Sequence, residues 1–124
     1  MSKIPSLPTV AVSTPVGTTA ELIINYVIAD EDRGLKVVMV DKNSIARMSV
    51  NDPELMLEKP AHLTAATGMD ALTHAIECIV TPGAYPVSDA MALEATKIIF
   101  DYLPKAVENG RDIEAREQLV YAIF

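Results

Sequence analysis

Between Thr67 and Glu77 the chain reads TGMDALTHAIE, a mostly apolar run that carries an acid, Asp70, and an imidazole, His74. At 3.6 residues per helical turn the two side chains project from one face, with Glu77 close beside them. Leu63 and Ala66 extend that face toward the N-terminus, and Met69, Ala71, Leu72, Ala75, Ile76 and Ile79 fill the rest of the circumference. A helix apolar nearly all round is expected to be buried, and a buried carboxylate must be paired, coordinated or neutralised. Asp and His at i and i+4 can offer oxygen and nitrogen to a divalent metal, a mixture that suits zinc or iron(II) better than magnesium or calcium. By spacing alone the signal is weak, since buried Asp–His pairs often just hydrogen-bond each other. Two ligands do not close a site, for which three or four are expected. The other histidine, His62, reads as an ordinary surface or first-turn residue.

A second group of candidates is STPVGTTAE, residues 13 to 21. The hydroxyls of Ser13, Thr14, Thr18 and Thr19, with Gly17 and the backbone N–H groups, could contact phosphate or ribose. Such Ser/Thr/Pro/Gly clusters also mark plain turns, and the run is neither a GxGxxG nor a Walker loop. Lys36, at the start of KVVMV, reads on its own as a solvated strand-edge lysine.

The elements that must position these residues fall in two groups. TVAV (9–12) is a short β-prone run, and ELIINYVIAD (21–30) and LKVVMVD (35–41) are stronger ones. The turn EDRG (31–34) between them predicts an antiparallel pair. SVNDPEL (49–55) then breaks at Pro53. From Pro60, which suits the first turn of a helix, a long helix is predicted to about Thr81, stopped by TPGAYP. Ser88 is expected to open the next helix as its N-cap, with Met91, Ala95, Ile98 and Tyr102 as the inward stripe. Pro104 bends or ends that helix, and VENGRD (107–112) is read as a loop. Asp112 caps a last helix whose apolar residues are Ile113, Leu119, Val120, Ile123 and Phe124.

Composition excludes several classes. The chain of 124 residues carries 10 basic against 17 acidic side chains, a net charge of −7 without any Lys/Arg cluster, which disfavours nucleic acid as a partner. Mean hydropathy is +0.24, yet no apolar run reaches the roughly 18 residues of a membrane span. Prolines interrupt the N-terminus, so a signal peptide is not expected and cytoplasmic residence is. A single cysteine, Cys78, excludes an internal disulfide framework and reads as a packed thiol.

Taken together, SVNDPELMLEKPAHLTAATGMDALTHAIE (49–77) resembles the signature segment of the iron-containing (group III) alcohol dehydrogenases. STPVGTTAELIINYVIADEDRGLKVVMVD (13–41) is similar to the nucleotide-contacting hairpin region that precedes that signature in the same family. Within the family the wording lies nearest to the lactaldehyde reductase (1,2-propanediol oxidoreductase) branch. The resemblance runs from Ile4 to Phe124. It implies a strand-and-turn α/β segment followed by an all-α segment, part of the dehydroquinate synthase-like, iron-dependent alcohol dehydrogenase fold. Residues 1–52 would end a nucleotide-binding domain and residues 53–124 would begin a helical metal-binding domain.

Carried over by position, the resemblance implies Asp70 and His74 as two ligands of a catalytic iron(II), or of zinc. Thr14, Gly17, Thr18, Asn25, Lys36 and Leu63 match positions that contact NAD, with NADP as the alternative. Glu77 completes the signature without an assigned role, and Pro15 and Val16 replace the Thr-Ala common in the family's turn. The family's chains are much longer, with a glycine-rich pyrophosphate loop upstream and two further metal-binding histidines downstream. The sequence is therefore expected to be the middle of such an enzyme, acting on a small alcohol or aldehyde and dimerising or associating through its last helix. The alternative expectation is a non-catalytic fragment, or an assembly module that docks through that apolar helix.

Overall fold

The computed structural model describes residues 6–15, 17 and 19–123, which fall into two compact units. One comprises residues 1–12 and 19–50, the other residues 13–18 and 51–124. Among the described residues no helix is long and apolar enough to cross a membrane. The expected order, strands and turns followed by helices, is the one observed.

In the first unit, β1 (Val10–Val12) pairs in parallel with β4 (Met48–Val50), Val10 facing Met48 and Val12 facing Val50. The sequence showed no strand at 48–50. A three-residue strand is too short to display alternation, and a parallel partner lies far away in the chain. β2 (Asn25–Asp30) and β3 (Leu35–Val40) form the predicted antiparallel hairpin, from Asn25 opposite Val40 to Asp30 opposite Leu35. Its turn is closed by Asp30, whose Oδ1 accepts the Arg33 N–H at 3.1 Å, and by Gly34, which takes a φ of +63° open to glycine.

Thr19, which precedes a 3-10 turn at Ala20–Leu22, also adopts the left-handed region, with φ 46° and ψ 41°. A β-branched residue there is strained by roughly 1–2 kcal/mol. Thr19→Gly relieves that strain but adds unfolded-state entropy. The net expected result is a gain of about 0.5–1 kcal/mol, read as a higher urea midpoint.

The second unit is three helices over a short 3-10 turn at Pro53–Met56. α1 (Ala61–Val80) starts after Pro60, whose carbonyl accepts both the N–H and the hydroxyl of Thr64. It stops at Thr81, which is extended at ψ 145°, as a residue before proline prefers. α1 is buried along one side only, at Thr64, Gly68, Ala71, Leu72 and Ala75, while Leu63, Met69 and Ile76 are exposed. The expectation of a helix buried all round is thus corrected. Small residues let α2 approach one side, and the face carrying Asp70 and His74 stays open.

α2 (Pro86–Glu108) begins three residues earlier than expected, because Pro86 with its fixed φ and missing N–H takes the first helical position. Ser88 is therefore not the N-cap. It sits at the third helical position, where its Oγ accepts the Tyr85 N–H at 3.0 Å. Pro104 does not end α2, nor are Val107 and Glu108 loop; the ring lies on an exposed side and the helix continues past it without the one hydrogen bond proline cannot donate. The inward stripe is also displaced. Ala92, Ile99, Leu103 and Ala106 are the buried residues, Ala95, Ile98 and Tyr102 flank them, and Met91 is exposed.

α3 (Ile113–Ala122) is capped by Asp112 as predicted, its carboxylate accepting the Ala115 N–H at 3.0 Å. Leu119 and Val120 join Met56, Leu72, Ile99 and Leu103 in the core, with Ile123 packed against it. Ile113 is exposed, and Phe124 lies outside the described residues.

Candidate metal centre

Asp70 and His74 lie one turn apart on the open side of α1, Asp70 half-buried and His74 exposed. Among the described residues neither side chain takes part in a hydrogen bond or ion pair, so the alternative in which the two merely bond each other is not the arrangement present. A carboxylate that loses water without gaining a partner is unfavourable, and a divalent cation would answer it. Glu77 and His62 are exposed on the same helix. Among the described residues no group of three or more His, Cys, Asp or Glu side chains could hold a metal. The two residues fit as an oxygen and a nitrogen ligand, half of a site.

The residues carried over for the cofactor divide between the two units. Gly17 lies against α1 beside the acid: a methyl group on it would sit 3.6 Å from Thr67 Cβ and 3.8 Å from Asp70 Oδ2. Gly17 and the Asp70 face are thus brought together within one unit. Thr14 is exposed, Leu63 is exposed one turn before Thr67, and Thr18 and Val16 lie outside the described residues. In the other unit, Asn25 and Lys36 are both exposed. Lys36 faces Ala29 across the hairpin, so it shares a face with Asn25, four residues along the strand and about 13 Å away.

Three residues of this neighbourhood were missed by the sequence reading. Thr67 continues the seam Leu63–Thr67–Asp70–His74, a signal the helical period did contain. Its Oγ1 donates to Leu63 O at 3.0 Å and accepts a hydrogen bond from Lys59 Nζ. Lys59 precedes Pro60 and carried no signal at all. Burial, with the Arg116 charge beside it, lowers its pKa from 10.5 to about 8. Arg116 is 1 % exposed, and its guanidinium donates to Gly110 O at 3.0 Å, Thr64 Oγ1 at 2.8 Å and Lys59 O at 3.2 Å. It ties α3 to the start of α1 and so fixes where the seam begins.

Lys59 makes stability depend on pH in a defined direction. Its folded pKa is depressed, so between about 8 and 10.5 the unfolded chain binds more protons than the folded one. Folding stability therefore rises with pH across that window. Urea titrations at pH 8 and pH 10 read the slope, and Lys59→Met is expected to flatten it.

The geometry can be set beside known proteins. Residues 64–124 match the family model described as Fe-containing alcohol dehydrogenase family, C-terminal. The NAD-dependent methanol dehydrogenase of Bacillus methanolicus is 52 % identical over 120 residues, covering 97 % of this chain and 32 % of that protein. The chain belongs to the iron-containing alcohol dehydrogenase family. Its relatives include the lactaldehyde reductase of Escherichia coli strain K12, 44 % identical over 108 residues, covering 87 % of this chain and 28 % of that one. The crystal structure of a 1,3-propanediol oxidoreductase superposes with a TM-score of 0.94 at 43 % identity, over 98 % of this chain and 32 % of that one. The strand segment followed by three helices is therefore a part of the iron-dependent alcohol dehydrogenase fold, and the chain spans about a third of the length of these relatives.

Proposed function

We propose that this chain is the metal-holding middle of an NAD(H)-linked alcohol dehydrogenase, moving hydride between nicotinamide and a short alcohol or aldehyde. The observation that carries the reading is the half-buried, unpartnered Asp70 carboxylate with His74 one turn on and the Gly17 turn against it. In this reading residues 1–52 close the nucleotide-binding domain and residues 53–124 open the helical one. When bound, iron(II) or zinc supplies Lewis acidity at the substrate oxygen and the nicotinamide supplies the hydride chemistry. Asp70 and His74 are the residues that would hold the metal, from one face of α1. Gly17, lacking a Cβ, lets a ligand approach the backbone of its turn, and Thr14 and Thr18 offer hydroxyls to the dinucleotide. Asn25 and Lys36, which share one face of the hairpin, and Leu63, exposed on α1, are the further positions that the family resemblance assigns to the dinucleotide.

The assembly-module reading has less support, because Leu119 and Val120 of that helix are buried in the unit's own core with Ile123 packed against it, which leaves Ile113 as its exposed aliphatic residue among those described. NADH-dependent reduction of a short aldehyde by the metal-loaded protein tests the proposal. Groups that merely hydrogen-bond a metal ligand are worth about 10–100-fold, so Asp70→Asn, at a ligand itself, is expected to lower the rate by at least about 100-fold. Equal rates in the two proteins would contradict it.

A further inference from the structure

Lys59 places a cation where the rest of the site has not used one. Its ammonium is partly withdrawn from water and is held on a neutral hydroxyl, Thr67 Oγ1. Among the described residues no carboxylate pairs with it, and none pairs with Arg116, whose guanidinium is bound to two carbonyls and the Thr64 hydroxyl. Two desolvated cations thus share one end of the seam without a counter-charge, an arrangement that is unfavourable until an anion arrives. Its location is defined by contacts. Thr67 Cβ faces Gly17, and Asp70, three residues further, faces the same glycine. A ligand on this face of α1 beside Gly17 would meet the Lys59 ammonium at Thr67 and the Asp70 carboxylate about one turn beyond.

We infer that Lys59, seated on Thr67, whose Cβ faces Gly17, forms an oxyanion subsite on the ligand-facing side of α1. The inference rests on the functional reading only for that side being the one a ligand occupies. The oxyanion is a phosphate of the dinucleotide or the acidic group of an acid-bearing aldehyde, since a lysine ammonium pairs with either. Lys59 adds charge and direction at one end of the ligand, while Asp70 and His74 act at the other.

Inorganic phosphate is the first probe, titrated into the 124-residue chain against chloride of equal ionic strength, with thermal unfolding as the readout. The wild type is expected to show a saturable rise in Tm. In Lys59→Met, which removes a desolvated charge and keeps the stem, the apparent phosphate affinity is expected to fall at least tenfold, while Lys59→Arg retains most of it. Competition then separates the sources: NADH displacing phosphate supports a cofactor phosphate, and glyoxylate displacing it supports an acidic substrate group. An equal phosphate response in wild type and Lys59→Met, or no response in either, would overturn the subsite. That failure is separable from failure of the metal site, because retention of metal at Asp70 and His74 is measured without phosphate.

Discussion

Replacing Arg116 with methionine is expected to destabilise the chain by about 3 kcal/mol, among the largest single effects in the molecule. The guanidinium is buried and all three of its hydrogen bonds cross between segments: to Gly110 before α3, to Lys59 before α1 and to Thr64 within α1. Thr64 keeps a partner after the substitution, because its hydroxyl also donates to Pro60 O. The carbonyls of Lys59 and Gly110 lose that donor, and an unsatisfied buried acceptor is worth about 1–3 kcal/mol. Methionine recovers part of this through apolar packing and by removing a buried charge. Arg116→Lys restores the charge without the planar fork and is expected to recover less than half. Arg111 provides the contrast. Its ion pair with Glu58 is short, 2.7 Å, but both side chains are largely exposed, so Arg111→Ala should stay within about 0.5 kcal/mol of wild type. Urea unfolding of the three variants decides the matter. A loss at Arg111 as large as that at Arg116 would contradict the assignment of Arg116 as the tie between α3 and α1.

The second large effect is expected at Gly68. Leu103 of α2 lies directly over it. A Cβ there would overlap Leu103 Cδ1 and sit 2.8 Å from Cδ2 and 3.1 Å from Cγ. Helix propensity alone favours alanine over glycine by about 1 kcal/mol. Overpacking in a filled core opposes it by about 1–3 kcal/mol. Leu103 is itself buried and cannot simply swing away. The clash is expected to win, giving a net loss of about 1–2 kcal/mol for Gly68→Ala and more for Gly68→Val. Leu103→Val should restore part of it in the double variant, since the two residues touch and their effects will not add. A stabilised Gly68→Ala chain would show that α1 and α2 have room to spare. The position matters for function as well. Gly68 sets how closely α1 approaches α2 on the side opposite the seam, and a helix pushed outward would carry Asp70 and His74 with it.

Local signals explain which elements were legible in the sequence. The hairpin was, because two β-branched runs flank a four-residue turn ending in glycine. Both ends of α1 were, because Pro60 and Pro82 punctuate it, and so was the Asp112 cap. β4 was not, since parallel pairing with β1 is non-local and three residues cannot show a period. The burial side of α2 was misread by one position, because Met91, Leu93, Ile98, Ile99 and Phe100 surround that helix and only packing against small residues selects among them. The same ambiguity made α1 look buried on all sides. For the site, type and spacing were enough to single out Asp70 and His74, and the resemblance supplied the rest. The Lys59–Thr67 contact and the buried Arg116 depend on chain segments meeting in space, so no spacing rule could anticipate them.

Asp70 and His74 are proposed to hold a divalent metal together, and metal retention tests this directly. The chain, purified without oxygen and given iron(II) or zinc, is desalted and its bound metal measured beside the Asp70→Asn, His74→Ala double variant. Wild type is expected to retain metal, up to about one equivalent with water or a second chain completing the coordination, and the double variant none. Equal metal in the two proteins, or none in either, would contradict it.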